Sequence, residues 1–348
     1  MLNVNSANNT VTLTVHEGLD KPYLYKGKAY KRNDTFSIEV ERGELTRLTL
    51  EGLEKNFEEL KYEDQNLSFD VLSKALADTL KIDNADINIL KTMGLYSEID
   101  GYNNAAGLVA DTNIFPGIDI AVMEDEDNIR YRTTIEKVSV ITQLKKSLEI
   151  FENNYLYESI EGMNRVRHEK IPQRAFREAI ANALIHRTWD VNAHIKVVMW
   201  SDRIEISSPG GLAKGMSEDA YLNGLFSVLR KPILGGVFFR LRYIEHFATG
   251  IKMIKKSYID SLQKPIFKIS SDGIKVILPI VNKQALITID EKMVLDVFVS
   301  GIVFSTRQLI EKCGFTKSKT IRILNSLIEK RRIVKTGNGR SVYYSLLS

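Results

Sequence analysis

The sequence predicts an α+β chain in three parts: a small β-rich N-terminal segment, a middle α/β sandwich, and a C-terminal module of three helices and a hairpin. Three observations carry this reading. Three segments read as strands: HIKVVMW (194–200), RIEISS (203–208), and the pair PIFKIS and GIKVILPI (265–280). A stretch rich in Ala, Ile and Leu with helical period, REAIANALIHR (177–187), precedes them. Positive charge gathers at the C-terminus: residues 283–348 hold seven Lys and five Arg against five acids, a net +7 in a chain of net +4. A basic module on a slightly acidic body points to a polyanion partner.

The expected boundaries are 1–60, 61–282 and 283–348. Residues 10–40 read as short strands with a turn at Gly27-Lys28, and 41–60 and 68–81 as helices. GIDIAVME and NIRYRTT read as strands around an acidic turn at Asp125–Asp127. A long helix is expected over 135–163, because Val138, Ile141, Leu144, Leu148 and Ile150 fall mostly on one face. Pro172 suits the start of the next helix. The Gly-rich segment 209–245 reads as a mobile stretch, 246–260 as a helix and 281–289 as a linker.

With 348 residues, 44% of them hydrophobic, the chain is long enough for large cores without staples. Its single cysteine, Cys313, excludes an intramolecular disulfide and a Cys-based zinc site, and fits a reducing cytoplasm. The opening MLNVNSANNT lacks the basic and apolar regions of a signal peptide. No apolar run approaches the ~20 residues of a membrane span. A cytoplasmic protein without a membrane partner is therefore expected.

The chemistry concentrates on the apolar helix. Glu178, Asn182 and His186 are spaced by four, so they form one polar stripe. An amide oxygen suits Mg²⁺, which favours oxygen ligands. A carboxylate one turn away can orient or deprotonate a water. Downstream, Ser208-Pro209-Gly210-Gly211 follows a strand, and Ala248-Thr249-Gly250 opens a helix. Glycine turns let backbone N–H groups approach phosphates, and a helix N-terminus favours anions. His186 reads as a capping or core residue ahead of a catalytic one. Arg187 reads equally as a phosphate ligand or as an exposed ion pair. Arg230 and Lys231 read as a solvated surface or as cations closing over phosphates.

These motifs, in this order, resemble the GHKL ATP-binding fold of gyrase-type ATPases, histidine kinases and MutL, whose first motif is Glu-x-x-x-Asn. More narrowly, REAIANALIHR, DRIEISSPGGL and IEHFATGIKMI resemble the divergent ATP-binding domain of bacterial "RecG-related" transcriptional regulators. The resemblance implies ATP and Mg²⁺ as cofactors and Glu178 as the catalytic base. It implies nucleotide contacts from Asn182, Ser208, Gly210, Gly211, Thr249 and Gly250, with Asn182 holding the metal through the nucleotide. The chain departs from the pattern in three places, one being Thr188-Trp189, where the narrower family usually has Asp-Tyr after the His-Arg pair. SSPGG stands where the wider fold has Asp-x-Gly-x-Gly, and Ala248 stands where a glycine is usual.

At the C-terminus, EKMVLDVFVSG, STRQLIEKCG and TKSKTIRILNSLIEKRRI read as helices, with Ser305 and Thr316 as N-caps. Gly337-Asn338-Gly339 reads as a hairpin turn. Three helices and a hairpin make a winged helix. It would present Lys317, Lys319, Thr320 and Arg322 to a major groove of double-stranded DNA, and Lys335 and Arg340 to phosphates. A winged helix used only for protein docking is the alternative. Residues 10–50 resemble the closing half of a Schlafen-like AlbA-type domain, on the pattern KPYLYKGKAYKRNDTFSIEVERGELTRL. Its first half is missing, so either the chain is truncated or a short form exists.

The expectation is a DNA-binding transcriptional regulator, homodimeric, with an ATP-binding sensing or dimerising domain. The alternatives are a DNA-stimulated ATPase clamp with weak turnover and a scaffold that binds no nucleotide. A helicase motor is not expected, because the chain has no GxxxxGK[ST] phosphate loop.

Overall fold

A computed structural model describes residues 2–5, 10–16, 22–53, 55–161, 164–213, 215–223, 230–244, 250–281, 288–298, 302–330, 332–337 and 342–347. The chain forms two compact units. One comprises Met1–Tyr258 and Lys264–Ile280, the other Ile259–Gln263 and Val281–Ser348.

The first unit is built on a six-stranded sheet. Its strands are β1 (Ile118–Met123), β2 (Ile129–Ile135), β3 (Ile195–Met199), β4 (Arg203–Pro209), β5 (Ile266–Ile269) and β6 (Gly273–Pro279), in spatial order β5-β6-β4-β3-β1-β2. Only β1 and β3 are parallel, with Ile195 opposite Ile118; the other pairs are antiparallel. Every second residue of the central strands is buried: Ile118, Ile120 and Val122 on β1, Ile195, Val197 and Met199 on β3, Ile204 and Ile206 on β4. One face of each strand is therefore core. The helices that cover the core are α1 (Val140–Tyr155), α2 (Gln173–His186), α3 (Pro232–Arg240) and α4 (Gly250–Lys256). α2 packs against α1, α4, β4 and β6. Phe151 of α1 stacks on Phe176 of α2 with ring centroids 4.5 Å apart. The result is an α+β unit with a mixed sheet.

The expected helix over 135–163 is shorter than its pattern. Ile135 ends β2, Ser139 caps α1 by accepting from the Ile141 N–H (3.3 Å), and the helix stops at Tyr155. The β-rich LYESIE that follows pairs as a strand with Asn164–Glu169. The turn between the early strands lies at Asp34-Thr35, between Tyr30–Asn33 and Phe36–Glu39, while Lys26-Gly27 closes a smaller turn with a Tyr25–Lys28 bridge. Segment 209–245, expected to be mobile throughout, contains Glu218–Asn223 and α3 as helices. In α3, Leu234, Val237 and Phe238 are buried, because they recur at helical spacing and enter the core. The expected linker falls largely on 282–287, outside the described residues. Among the described residues no helix is long and apolar enough to cross a membrane.

The second unit holds α5 (Ile289–Leu295), α6 (Thr306–Cys313) and α7 (Lys317–Glu329). A three-stranded antiparallel sheet of β7 (Phe304–Ser305), β8 (Ile333–Thr336) and β9 (Tyr343–Leu346) completes it, in the order β7-β9-β8. Its core is Val294, Phe298, Phe304, Leu309, Ile323, Leu324, Leu327, Ile333 and Tyr344. Ser305 and Thr316 are the N-caps of α6 and α7, as expected.

Candidate functional site

α2 carries the polar stripe into the core. Glu178 is 5% exposed and Asn182 half-buried, one turn further along. Opposite them stands Gly250, the first residue of α4. A Cβ at position 250 would fall 2.5 Å from Asn182 Nδ2 and 2.6 Å from Glu178 Oε1. No side chain fits there, so glycine lets the backbone close directly on the carboxylate and the amide. The structure thus brings together three of the expected residues from two helices. Thr249 lies outside the described residues.

Ser208 also turns towards α2: its Oγ donates to Ala183 O (3.3 Å). The glycines after it have a different task from the one expected. Gly210 N donates to Asp272 O (2.8 Å) and Gly211 N to Ser271 O (3.1 Å), so both N–H groups are committed to the β5–β6 turn and do not face a phosphate. Close approach explains the glycines. Gly210 has φ +98°, and a Cβ there would lie 1.9 Å from Thr188 Oγ1. A Cβ at Gly211 would lie 2.6 Å from Ser270 O. Their expected role as phosphate cradle is corrected accordingly.

At the C-terminal end of α2, Arg187 is fully buried. Its guanidinium donates to Pro116 O and Gly117 O (each 3.4 Å), to Val191 O (3.3 Å) and to Ala193 O, and its carbon lies 4.3 Å from the Trp189 ring centroid. Neither expectation for Arg187, phosphate ligand or exposed ion pair, holds. Burial pulls its pKa down to about 10, which leaves it charged at neutral pH. His186 is held neutral: burial first, then Arg230 and Lys231, push it down to about 4.

Two residues without any motif complete this end of the site. Glu58, fully buried, accepts from the N–H groups of Ile233 (2.7 Å) and Leu234 (3.0 Å) at the start of α3. Phe57 lies under Lys231, with Nζ 5.4 Å from the ring centroid. No local signal could mark these residues, because their partners stand about 175 positions away along the chain.

In the second unit, Lys317, Arg322 and Lys335 are exposed. Lys319 pairs with Asp290 (2.9 Å) and lies 4.0 Å over the Phe315 ring. Thr320 is fully buried and its hydroxyl donates to Thr316 O (3.0 Å). It faces the core that Ile323, Leu324 and Leu327 build, so the expectation that it meets DNA is corrected. Arg340 lies outside the described residues. Sequence reading missed Glu291, which binds Lys330 (2.6 Å) and Ser326 (2.7 Å) and joins α5 to α7.

Residues 192–278 match the family model described as "Putative ATP-dependent DNA helicase recG C-terminal". The matched stretch runs from the start of β3 to the end of β6 and includes α3 and α4; α2, with Glu178 and Asn182, precedes it. The match supports a relation to the RecG-related, GHKL-like proteins that the motifs resemble. Among solved structures, the DIP2311 protein from Corynebacterium diphtheriae is similar with a TM-score of 0.58 at 15% identity, over 100% of this chain and 75% of that one. At that identity the likeness is one of fold. No curated protein matches the sequence.

Proposed function

We propose that the first unit is a GHKL-like domain that binds ATP with Mg²⁺, and that the second is a winged helix that reads double-stranded DNA, making the protein a nucleotide-responsive transcriptional regulator. The observation that carries the nucleotide half is the closure of Gly250 onto Asn182 and Glu178. The donor set there is oxygen-rich and hard, which suits Mg²⁺ bound through a nucleotide. Asn182 would hold the ion and Glu178 would orient a water; when bound, the ion neutralises phosphate charge.

For the DNA half, support comes from the net +7 of residues 283–348 and from exposed Lys317, Arg322 and Lys335. Fluorescence anisotropy of the full chain on a duplex across a salt series tests it: affinity should fall steeply with salt, and salt-independent affinity would favour protein docking.

One observation favours the scaffold reading as second choice. The N–H groups of Gly210 and Gly211 are already used, which leaves fewer backbone donors for phosphates. Calorimetric titration of ATP and Mg²⁺ into the full chain decides between the two.

A further inference from the structure

Lys231 is 9% exposed. Among the described residues no acceptor lies within hydrogen-bond distance of its ammonium, which carries three donors. Burying most of a lysine side chain is costly, so it needs a reason to stay. Its surroundings supply charge but no lone pair within reach. They are the Phe57 ring at 5.4 Å, the carboxylates of Glu58 and Asp190, its neighbour Arg230, and the neutral His186 at the end of α2. Burial pushes the Lys231 pKa below the ordinary lysine range, Glu58 and Asp190 push it back up, and Arg230 pushes it down. Glu58 cannot turn away, because both its oxygens are held by the first N–H groups of α3. Burial raises the Glu58 pKa above the ordinary carboxylate range, and the same two bonds, with Lys231, oppose that rise in part.

We propose that Lys231 is an anion receptor for a phosphate group of the ligand, and that Glu58 and Phe57 are positioning residues that hold its ammonium in place beside the end of α2. This rests on the nucleotide reading. Glu58 occupies the N-terminus of α3 itself, so the anion is met by side chains: Lys231 supplies donors, and Arg230 supplies charge. The contact also ties residues 57–58, which lie far outside the family match, to the site.

The test uses the full chain with lysine labelled for NMR, Lys231 being assigned by its loss in Lys231→Met. Glu58→Gln keeps one acceptor for α3 but removes the charge, so the Lys231 titration midpoint should fall. Phe57→Leu, which leaves the α3 cap intact, should lower it less and serves if Glu58→Gln is too unstable. ATP affinity with Mg²⁺ should then be lost as pH rises through the Lys231 midpoint, at lower pH in Glu58→Gln than in wild type. Lys231→Met should weaken ATP at least about tenfold at neutral pH, the worth of a charged hydrogen bond. Lys231→Arg should retain affinity and flatten the pH profile, which a purely structural role would not do. Pyrophosphate serves as the free-phosphate probe. Pyrophosphate binding without ATP binding would keep the anion receptor and overturn the nucleotide reading. ATP binding with an unmoved Lys231 midpoint in both variants, or with affinity unchanged in Lys231→Met, would overturn the present proposal.

Discussion

Gly250 lies so close to Asn182 that a Cβ on it would fall 2.5 Å from the amide nitrogen. The contact joins the start of α4 to the polar stripe of α2, and it makes glycine a requirement of the site. Gly250→Ala should force Asn182 or Glu178 out of place at a cost of about 1–3 kcal/mol, typical of overpacking. The expected result is a lowered thermal midpoint together with at least about tenfold weaker ATP binding, since 1.4 kcal/mol is a factor of ten. An alanine variant with wild-type stability and affinity would mean that the helix can shift freely.

Arg187 tests the core beneath the site. Its guanidinium satisfies four carbonyls in a region without solvent access. Arg187→Met fills most of the volume but removes the guanidinium donors. Gly117 O and Val191 O keep the N–H groups of Ile195 and Ala193, while Pro116 O and Ala193 O lose the donor that Arg187 gave them, so a loss of about 3 kcal/mol is expected from chemical denaturation. A loss below about 1 kcal/mol would show that the carbonyls find other donors.

Glu291 sets an acid limit on the second unit. Its bonds to Lys330, Ser326 and the Thr288 N–H outweigh the cost of burial and hold its pKa down to about 2. A depressed carboxyl stabilises the fold above its unfolded pKa, and that contribution fades as pH falls towards the folded value. The window is therefore from about 4.5 down to about 2. Methyl NMR signals of the buried Leu324 and Leu327 should report unfolding across this range in wild type. In Glu291→Gln they should report lower stability at neutral pH, by roughly 3 kcal/mol, with a flatter acid profile. An unchanged acid profile would contradict the assignment.

The surface of α7 gives a sharper contrast. Lys317→Ala and Arg322→Ala should weaken duplex binding, and Lys335→Ala should reduce the log–log salt slope by about one. Thr320→Val should leave DNA affinity unchanged, because the side chain is buried. Loss of binding in Thr320→Val at wild-type stability would mean that α7 presents another face.

How far the sequence could be read depends on whether a signal is local. The alternation in β1, β3 and β4 displays one buried face per strand, so the strands and their limits were legible. So was the pairing of Glu178 with Asn182 on one edge of α2. Thr320 stands at a spacing from Ile323, Leu324 and Leu327 that places it on the buried stripe, and its hydroxyl is satisfied there by Thr316 O rather than turned to solvent. Arg187 was illegible. The carbonyls it serves, at 116, 117, 191 and 193, converge only after β1 and β3 pair. Glu58 is further still from any signal, because its partners are backbone N–H groups of a distant helix. The glycines at 210 and 211 were seen, but their purpose was not, since a turn sequence does not reveal what packs against it.

The central claim is that Asn182, with Glu178 and Gly250, forms a Mg²⁺-dependent nucleotide site. Isothermal titration of ATP into the full chain, with and without Mg²⁺, tests it most directly when run on wild type and on Asn182→Ala. The account predicts binding tighter than millimolar in wild type that needs Mg²⁺, and its disappearance in Asn182→Ala at an unchanged thermal midpoint. Wild-type protein with no affinity below the millimolar range, or an Asn182→Ala variant that binds as wild type does, would contradict it.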